Sequence, residues 1–90
     1  MNYRCPLPES LQVAASAFEE FANGGAQATV VLKDGRVFNS VLVSNATALV
    51  AARGFSTPPF EPEQIERLYQ TGDDRNPTQR GGWQFWDNWK

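Results

Sequence analysis

The chain has no histidine and a single cysteine, Cys5. Without histidine it lacks the commonest general base and the commonest nitrogen ligand for metals. No imidazole is present to activate the Cys5 thiol, and a lone cysteine forms no intramolecular disulfide. The glycine pairs Gly24-Gly25 and Gly81-Gly82 lack the spacing of a phosphate-binding loop and read as hinges. Asp73-Asp74 lacks the spacing of a calcium loop and reads as solvated charge. No catalytic constellation emerges, so the expectation is a protein that is not an enzyme, with no cofactor and no metal. No apolar run approaches the roughly 20 residues that span a bilayer. The opening Met1-Asn2-Tyr3-Arg4-Cys5-Pro6 has no apolar segment of the kind that directs secretion. A cytoplasmic location with no membrane partner is therefore expected.

An excess of positive charge is also missing. Eight lysines and arginines stand against ten acidic residues, a net charge of −2. Arg4, Lys33, Arg36, Arg53, Arg67, Arg75, Arg80 and Lys90 are scattered, whereas generic nucleic-acid binding needs basic residues massed on one face. Ninety residues make one small domain with a modest core. There are no internal repeats.

What is present is a hairpin. From Ala28 to Leu42, two runs of strand-forming residues flank Asp34-Gly35, the dipeptide that suits a two-residue type I′ turn. A further turn at Asn45-Ala46 leads to a third strand over 47–52, and Arg53-Gly54 makes another turn. Residues 55–60 have the makings of an edge strand, to which Pro58-Pro59 would confine them. Residues 61–69 admit either a short helix starting at Pro62 or a closing strand through Ile65, Arg67 and Tyr69; a turn followed by a strand is favoured. Before the hairpin, Leu11, Ala14, Phe18, Phe21 and Ala22 fall near a 3.6-residue period and predict a helix over 8–22. Asn23-Gly24-Gly25 would stop it. Glu19 and Glu20 read as a solvated face or an acidic contact for a basic partner.

All three tryptophans lie in the last eight residues, as Trp83, Trp86 and Trp89, with Phe85 among them. Their three-residue spacing places them near one face of a helix or polyproline-like segment. Such a tail either folds back to enlarge a thin core, binds a partner or another copy, or stacks on single-stranded bases. The division expected is a helix-plus-barrel domain over 1–70 and a linker with the Trp-rich tail over 71–90.

The stretch Val31-Leu32-Lys33-Asp34-Gly35-Arg36-Val37-Phe38-Asn39-Ser40-Val41-Leu42 resembles the first motif of Sm-like and Hfq-like proteins. Ser40 stands where that family usually has glycine, and the second motif is not recognisable at its proper spacing. The resemblance implies a five-stranded, strongly bent SH3-like barrel preceded by a helix. It also implies RNA binding by an oligomeric ring, with Lys33, Arg36, Asn45 and Arg53 near the loops used for bases and phosphates. Within that superfamily the acidic balance and Tyr3-x-Cys5 are similar to the small Rho-binding antiterminators, whose barrel binds a protein.

The fold class expected is therefore α+β, mainly β: an N-terminal helix on a small, bent antiparallel sheet or barrel, followed by the Trp-rich tail. Its core should draw on Val30, Leu32, Phe38, Leu42, Leu49, Ile65 and Leu68, with Phe18 and Phe21 from the helix. The function expected is a protein-binding regulatory module with Trp83, Phe85, Trp86 and Trp89 as the contact. The alternative is an RNA-binding ring using Lys33, Arg36, Asn45 and Arg53.

Overall fold

A computed structural model describes residues 5–21 and 24–76. In chain order its elements are β1 (Cys5–Pro6), α1 (Glu9–Ala15), β2 (Gly25–Leu32), β3 (Val37–Ser44), β4 (Ala48–Ala52), β5 (Ile65–Tyr69) and α2 (Gly72–Arg75), with a 3-10 turn at Pro62–Gln64. The strands form one antiparallel sheet in the order β1-β4-β3-β2-β5. The sheet curls strongly into a half-barrel.

The curl has a local cause. Three register shifts interrupt the ladders, and each extra residue bends its strand and increases the local twist. Between β2 and β3, Ala28 pairs Val41 but Val30 pairs Phe38, so Thr29 alone faces both Asn39 and Ser40. Ser40 takes a φ of +56°, the left-handed conformation that side chains disfavour. Between β3 and β4, Leu42 pairs Ala51 while Val43 pairs Leu49, which makes Val50 the extra residue. Between β2 and β5 the extra residue is Glu66.

These shifts decide which side chains share a face. Phe38 and Val41 lie three apart, a spacing that puts strand residues on opposite faces, yet both pack in the main core. Leu49 and Ala52 behave the same way, which leaves Val50 and Ala51 together on the outer face with Leu42. The main core gathers Ala26, Ala28, Val30 and Leu32 of β2, Val41 and Val43 of β3, Ile65 and Leu68 of β5, and Leu11 and Ala15 of α1. The outer-face cluster is Leu42, Val50 and Ala51, with Phe21 packed against it. Among the residues expected in the core, Phe18 and Phe38 are half-buried at its margin, and Leu42 and Phe21 belong to the outer cluster.

Helix α1 ends at Ala15, well short of Ala22. The Ser16 hydroxyl donates back to the Val13 carbonyl at 2.6 Å, a local bond that competes with helix propagation. The Gln70 side chain then holds Glu19 like a strand partner, accepting from its N–H at 2.9 Å and donating to its carbonyl at 3.0 Å. Phe21 is thereby carried round the sheet to the outer face, where its N–H donates to the Gly25 carbonyl.

The hairpin turns also differ from expectation. At 33–35 the loop has three residues: the Gly35 N–H donates to Leu32 O at 2.9 Å and the Leu32 N–H to Arg36 O at 2.8 Å. Only Gly35 there has positive φ, at 93°. A three-residue hairpin places one αL residue at its end, which glycine satisfies without strain. Positive φ at two successive residues occurs instead at Asn45 (52°) and Ala46 (60°), where the Thr47 N–H closes on Ser44 O at 3.0 Å. Residues 55–60 form no strand beyond a single bridge between Ala52 and Phe55. The 61–69 segment is a 3-10 turn leading into a strand, capped where Gln64 Oε1 accepts from the Glu61 N–H at 2.7 Å.

Candidate binding surface

The half-barrel separates the residues that sequence grouped for RNA. Lys33 and Arg36 lie at the β2–β3 loop, and Arg53 follows β4 at the same end of the sheet, its N–H donating to Ser40 O. Asn45 sits at the other end of β3, the full eight-residue strand away. Its conformation serves the turn: the Asn45 N–H donates to Gly24 O at 2.8 Å, and its Oδ1 lies where a Cβ on Gly24 would come within 2.6 Å. Arg36 is engaged by Asp34, with Nε donating to Oδ2 at 2.8 Å and the backbone N–H donating to Oδ1 at 3.0 Å. The Arg36 backbone N–H, first of all, lowers the Asp34 pKa, and the guanidinium adds to it. Both side chains are exposed, so the pair contributes little to stability. Trp83, Phe85, Trp86 and Trp89 lie outside the described residues.

At the end of the sheet that carries Arg53, an aromatic row emerges from the core. Phe60 is buried, Phe38 is half-buried with its ring centroid 5.1 Å from that of Phe60, and Phe55 packs edge-on against Phe38 at 5.6 Å. Phe55 is 44% exposed, and Val37, next to Phe38 in β3, is 52% exposed. Edge-to-face stacking orients the Phe55 ring while leaving a face in water. The sequence signal for this row was hidden, because a strand reading of 55–60 assigned Phe55 and Phe60 to an edge strand instead of to a loop over the core.

On the opposite face of β2, α2 lies against the sheet through polar groups. The Asp74 carboxylate is 2% exposed and accepts from Gln27 Nε2, Thr29 Oγ1 and the Thr71 N–H, each at 2.9 Å. Asp74 returns its own N–H to Thr71 Oγ1 at 3.2 Å, closing a capping box. Asp74 is thus no solvated charge. The Thr71-x-x-Asp74 spacing was the available signal, and burial of Gln27 and Thr29 supplies the donors that make an interior carboxylate tolerable.

Cys5 is fully buried opposite Leu49. Burial pushes its thiol from the ordinary 9.0 up to about 11, and the Glu61 and Glu63 carboxylates add to the rise. The unfolded thiol ionises near 9.0 while the folded one keeps its proton to about 11. Its contribution is therefore complete below pH 9 and is lost as pH rises through that window, by about 1.4 kcal/mol per pH unit. Urea melts of the native chain and Cys5→Ala from pH 8 to 11 check this: the stability difference between them should narrow across the window. A constant difference would show that the thiol ionises alike in both states.

No group of histidine, cysteine or acidic residues among the described residues could hold a metal ion, and no helix among them is long and apolar enough to cross a membrane. Compared with known proteins, the chain matches no family model, no curated protein and no solved structure.

Proposed function

We propose that this chain is a small Sm-like half-barrel acting as a binding module, without catalysis, whose ligand is another protein in the control of gene expression. The observation that carries the reading is the Phe60–Phe38–Phe55 row, which presents an oriented, half-exposed ring at the sheet's end. Aromatic rings held in this way are the side chains that anchor protein interfaces, because little conformational entropy is left to lose on binding. The Sm-like kinship is supported by Ser40. It occupies the family's glycine position and adopts a positive φ that glycine adopts freely.

The test uses the termination factor Rho as the first probe, since the resemblance includes Rho-binding antiterminators. The full chain should bind purified Rho, and Phe55→Ser should weaken binding by about tenfold or more, the scale of a hot-spot ring. Its thermal midpoint should stay close to that of the native chain. Binding to single-stranded RNA that falls steeply with salt, with no Rho binding, would instead favour the second reading. That reading draws on Lys33, Arg36 and Arg53 at one end of the sheet beside a ring able to stack on bases. Asn45, at the far end, contributes nothing to such a surface. Absence of both activities would defeat the Phe55 surface.

A further inference from the structure

The chain has one Asp-Gly bond, Asp34–Gly35, in the exposed loop between β2 and β3. Asp-Gly is the aspartyl bond most prone to close into a succinimide, because glycine puts no Cβ beside the nitrogen that attacks. Beyond the loop's own neighbours, nothing lies within 4 Å of where a Gly35 Cβ would sit, so the surroundings leave the ring room to form. Hydrogen bonds instead restrain both reacting groups. The Gly35 N–H donates to Leu32 O at 2.9 Å. Asp34 Oδ1 accepts from the Arg36 N–H at 3.0 Å, and Oδ2 accepts from Arg36 Nε at 2.8 Å. We propose that Asp34 is a site of isoaspartate formation whose rate is set by the Arg36 side chain. This inference is independent of the Phe55 surface.

In the reaction the Gly35 nitrogen bonds to Cγ of the protonated Asp34 carboxyl, and the amide proton leaves with the carboxyl hydroxyl as water. Water then adds to either ring carbonyl. Opening at Cγ restores aspartate, whereas opening at the α-carbonyl leaves a main chain that runs through Cβ and Cγ. Water is the only co-reactant, and the mass is unchanged. The ionised carboxylate has no hydroxyl to expel, so whatever holds Asp34 ionised slows ring closure. The Arg36 N–H does so first and the guanidinium adds to it, keeping the carboxyl below its ordinary ionisation range. The guanidinium must also release Oδ2 before the carboxyl can turn toward Gly35. An exposed ion pair biases an equilibrium by no more than about fivefold, so the restraint is partial and Asp34 converts slowly. Each conversion lengthens the main chain of a loop closed by Gly35 N–H to Leu32 O and by Leu32 N–H to Arg36 O, which spoils that alignment.

The test ages the native chain, Arg36→Ala and Arg36→Lys side by side in mildly acid buffer, with the denatured chain as the unrestrained reference. Chymotrypsin cutting after Leu32 and Phe38 releases residues 33–38, in which Asp34 is the only acidic or amide side chain. Isoaspartate in that peptide, read by isoaspartyl methyltransferase labelling, therefore reports position 34 alone. It should accumulate about two- to fivefold faster in Arg36→Ala than in the native chain, and fastest in the denatured chain. Arg36→Lys should fall between, because it keeps the charge but not the fork. High salt loosens an exposed pair without any substitution, so it should raise the native rate toward that of Arg36→Ala. Equal rates in the native chain and Arg36→Ala would overturn Arg36 as the control. So would a native rate indifferent to salt, which would assign the alanine effect to the loop's fold. No isoaspartate in the native chain, where the denatured chain converts, would remove the site.

Discussion

Replacing Asp74 with alanine should lower the thermal midpoint of the chain by roughly 12–24 °C. The carboxylate accepts three hydrogen bonds in a buried site, from Gln27, Thr29 and the Thr71 backbone. Its removal takes the acceptor from the Thr71 N–H and leaves Gln27 and Thr29 with their longer bonds, to Asp73 Oδ2 and Asn39 Oδ1, each at 3.3 Å. Hydrogen bonds to a charged group contribute about 1.5–3 kcal/mol, and a donor left without its acceptor adds the cost of its lost hydration. A net loss of about 3 kcal/mol is expected, and a domain of this size shifts by about 4–8 °C per kcal/mol. Asp74→Asn should fall between, since the amide keeps one accepting oxygen but offers an N–H to a neighbour that is itself a donor. Calorimetry on the three chains checks the order native, Asn, Ala. A loss under about 1 kcal/mol for alanine would mean that α2 is held by something other than its carboxylate.

The second large effect concerns one residue in β3. Deleting Ser40 should unfold the chain or cost more than about 3 kcal/mol, because a one-residue change of register moves side chains to the other face. Phe38 now reaches the core only because Asn39 and Ser40 together oppose Thr29. Without the extra residue its ring would point outward and forfeit its contacts with Phe55 and Phe60. Ser40→Gly should act in the opposite sense, raising stability by up to about 1 kcal/mol. It relieves the left-handed strain at φ +56°, a gain partly offset by glycine's greater freedom in the unfolded chain. Denaturant melts of both variants separate the need for an extra residue from the need for its side chain. Equal stability of the deletion and the native chain would show that the bulge is dispensable.

The two variants also mark where sequence reading reached and where it stopped. The hairpin, the turn at Asn45-Ala46 and the core residues Val30, Leu32, Leu49, Ile65 and Leu68 could be read from strand-forming runs and turn residues alone. The interruptions could not. Nothing in Val37-Phe38-Asn39-Ser40-Val41 announces an extra residue; only pairing with β2 shows that Phe38 and Val41 share a face. The helix reading overran Ala15 for a related reason. Phe18 and Phe21 suit a helical stripe, but the bonds from Gln70 to Glu19 span 51 residues and draw the chain off the helix. The family pattern places Lys33, Arg36, Asn45 and Arg53 near loops used for bases and phosphates, and the length of β3 keeps Asn45 apart from the other three.

What the sequence determined by itself is what depends on neighbours in the chain. Gly35 supplies the positive φ of its loop, Pro6 suits an edge that needs no N–H, and the lack of histidine removes imidazole chemistry wherever the chain folds. Tertiary structure decided what depends on distant partners. Asp74 is a buried acceptor because Gln27 and Thr29 lie 47 and 45 residues away in sequence yet beneath it in space. Phe55 is an oriented surface ring because Phe38 and Phe60 meet behind it. Local sterics act through bonds and are written residue by residue, whereas burial and hydrogen-bond satisfaction exist only once separate strands have chosen their register.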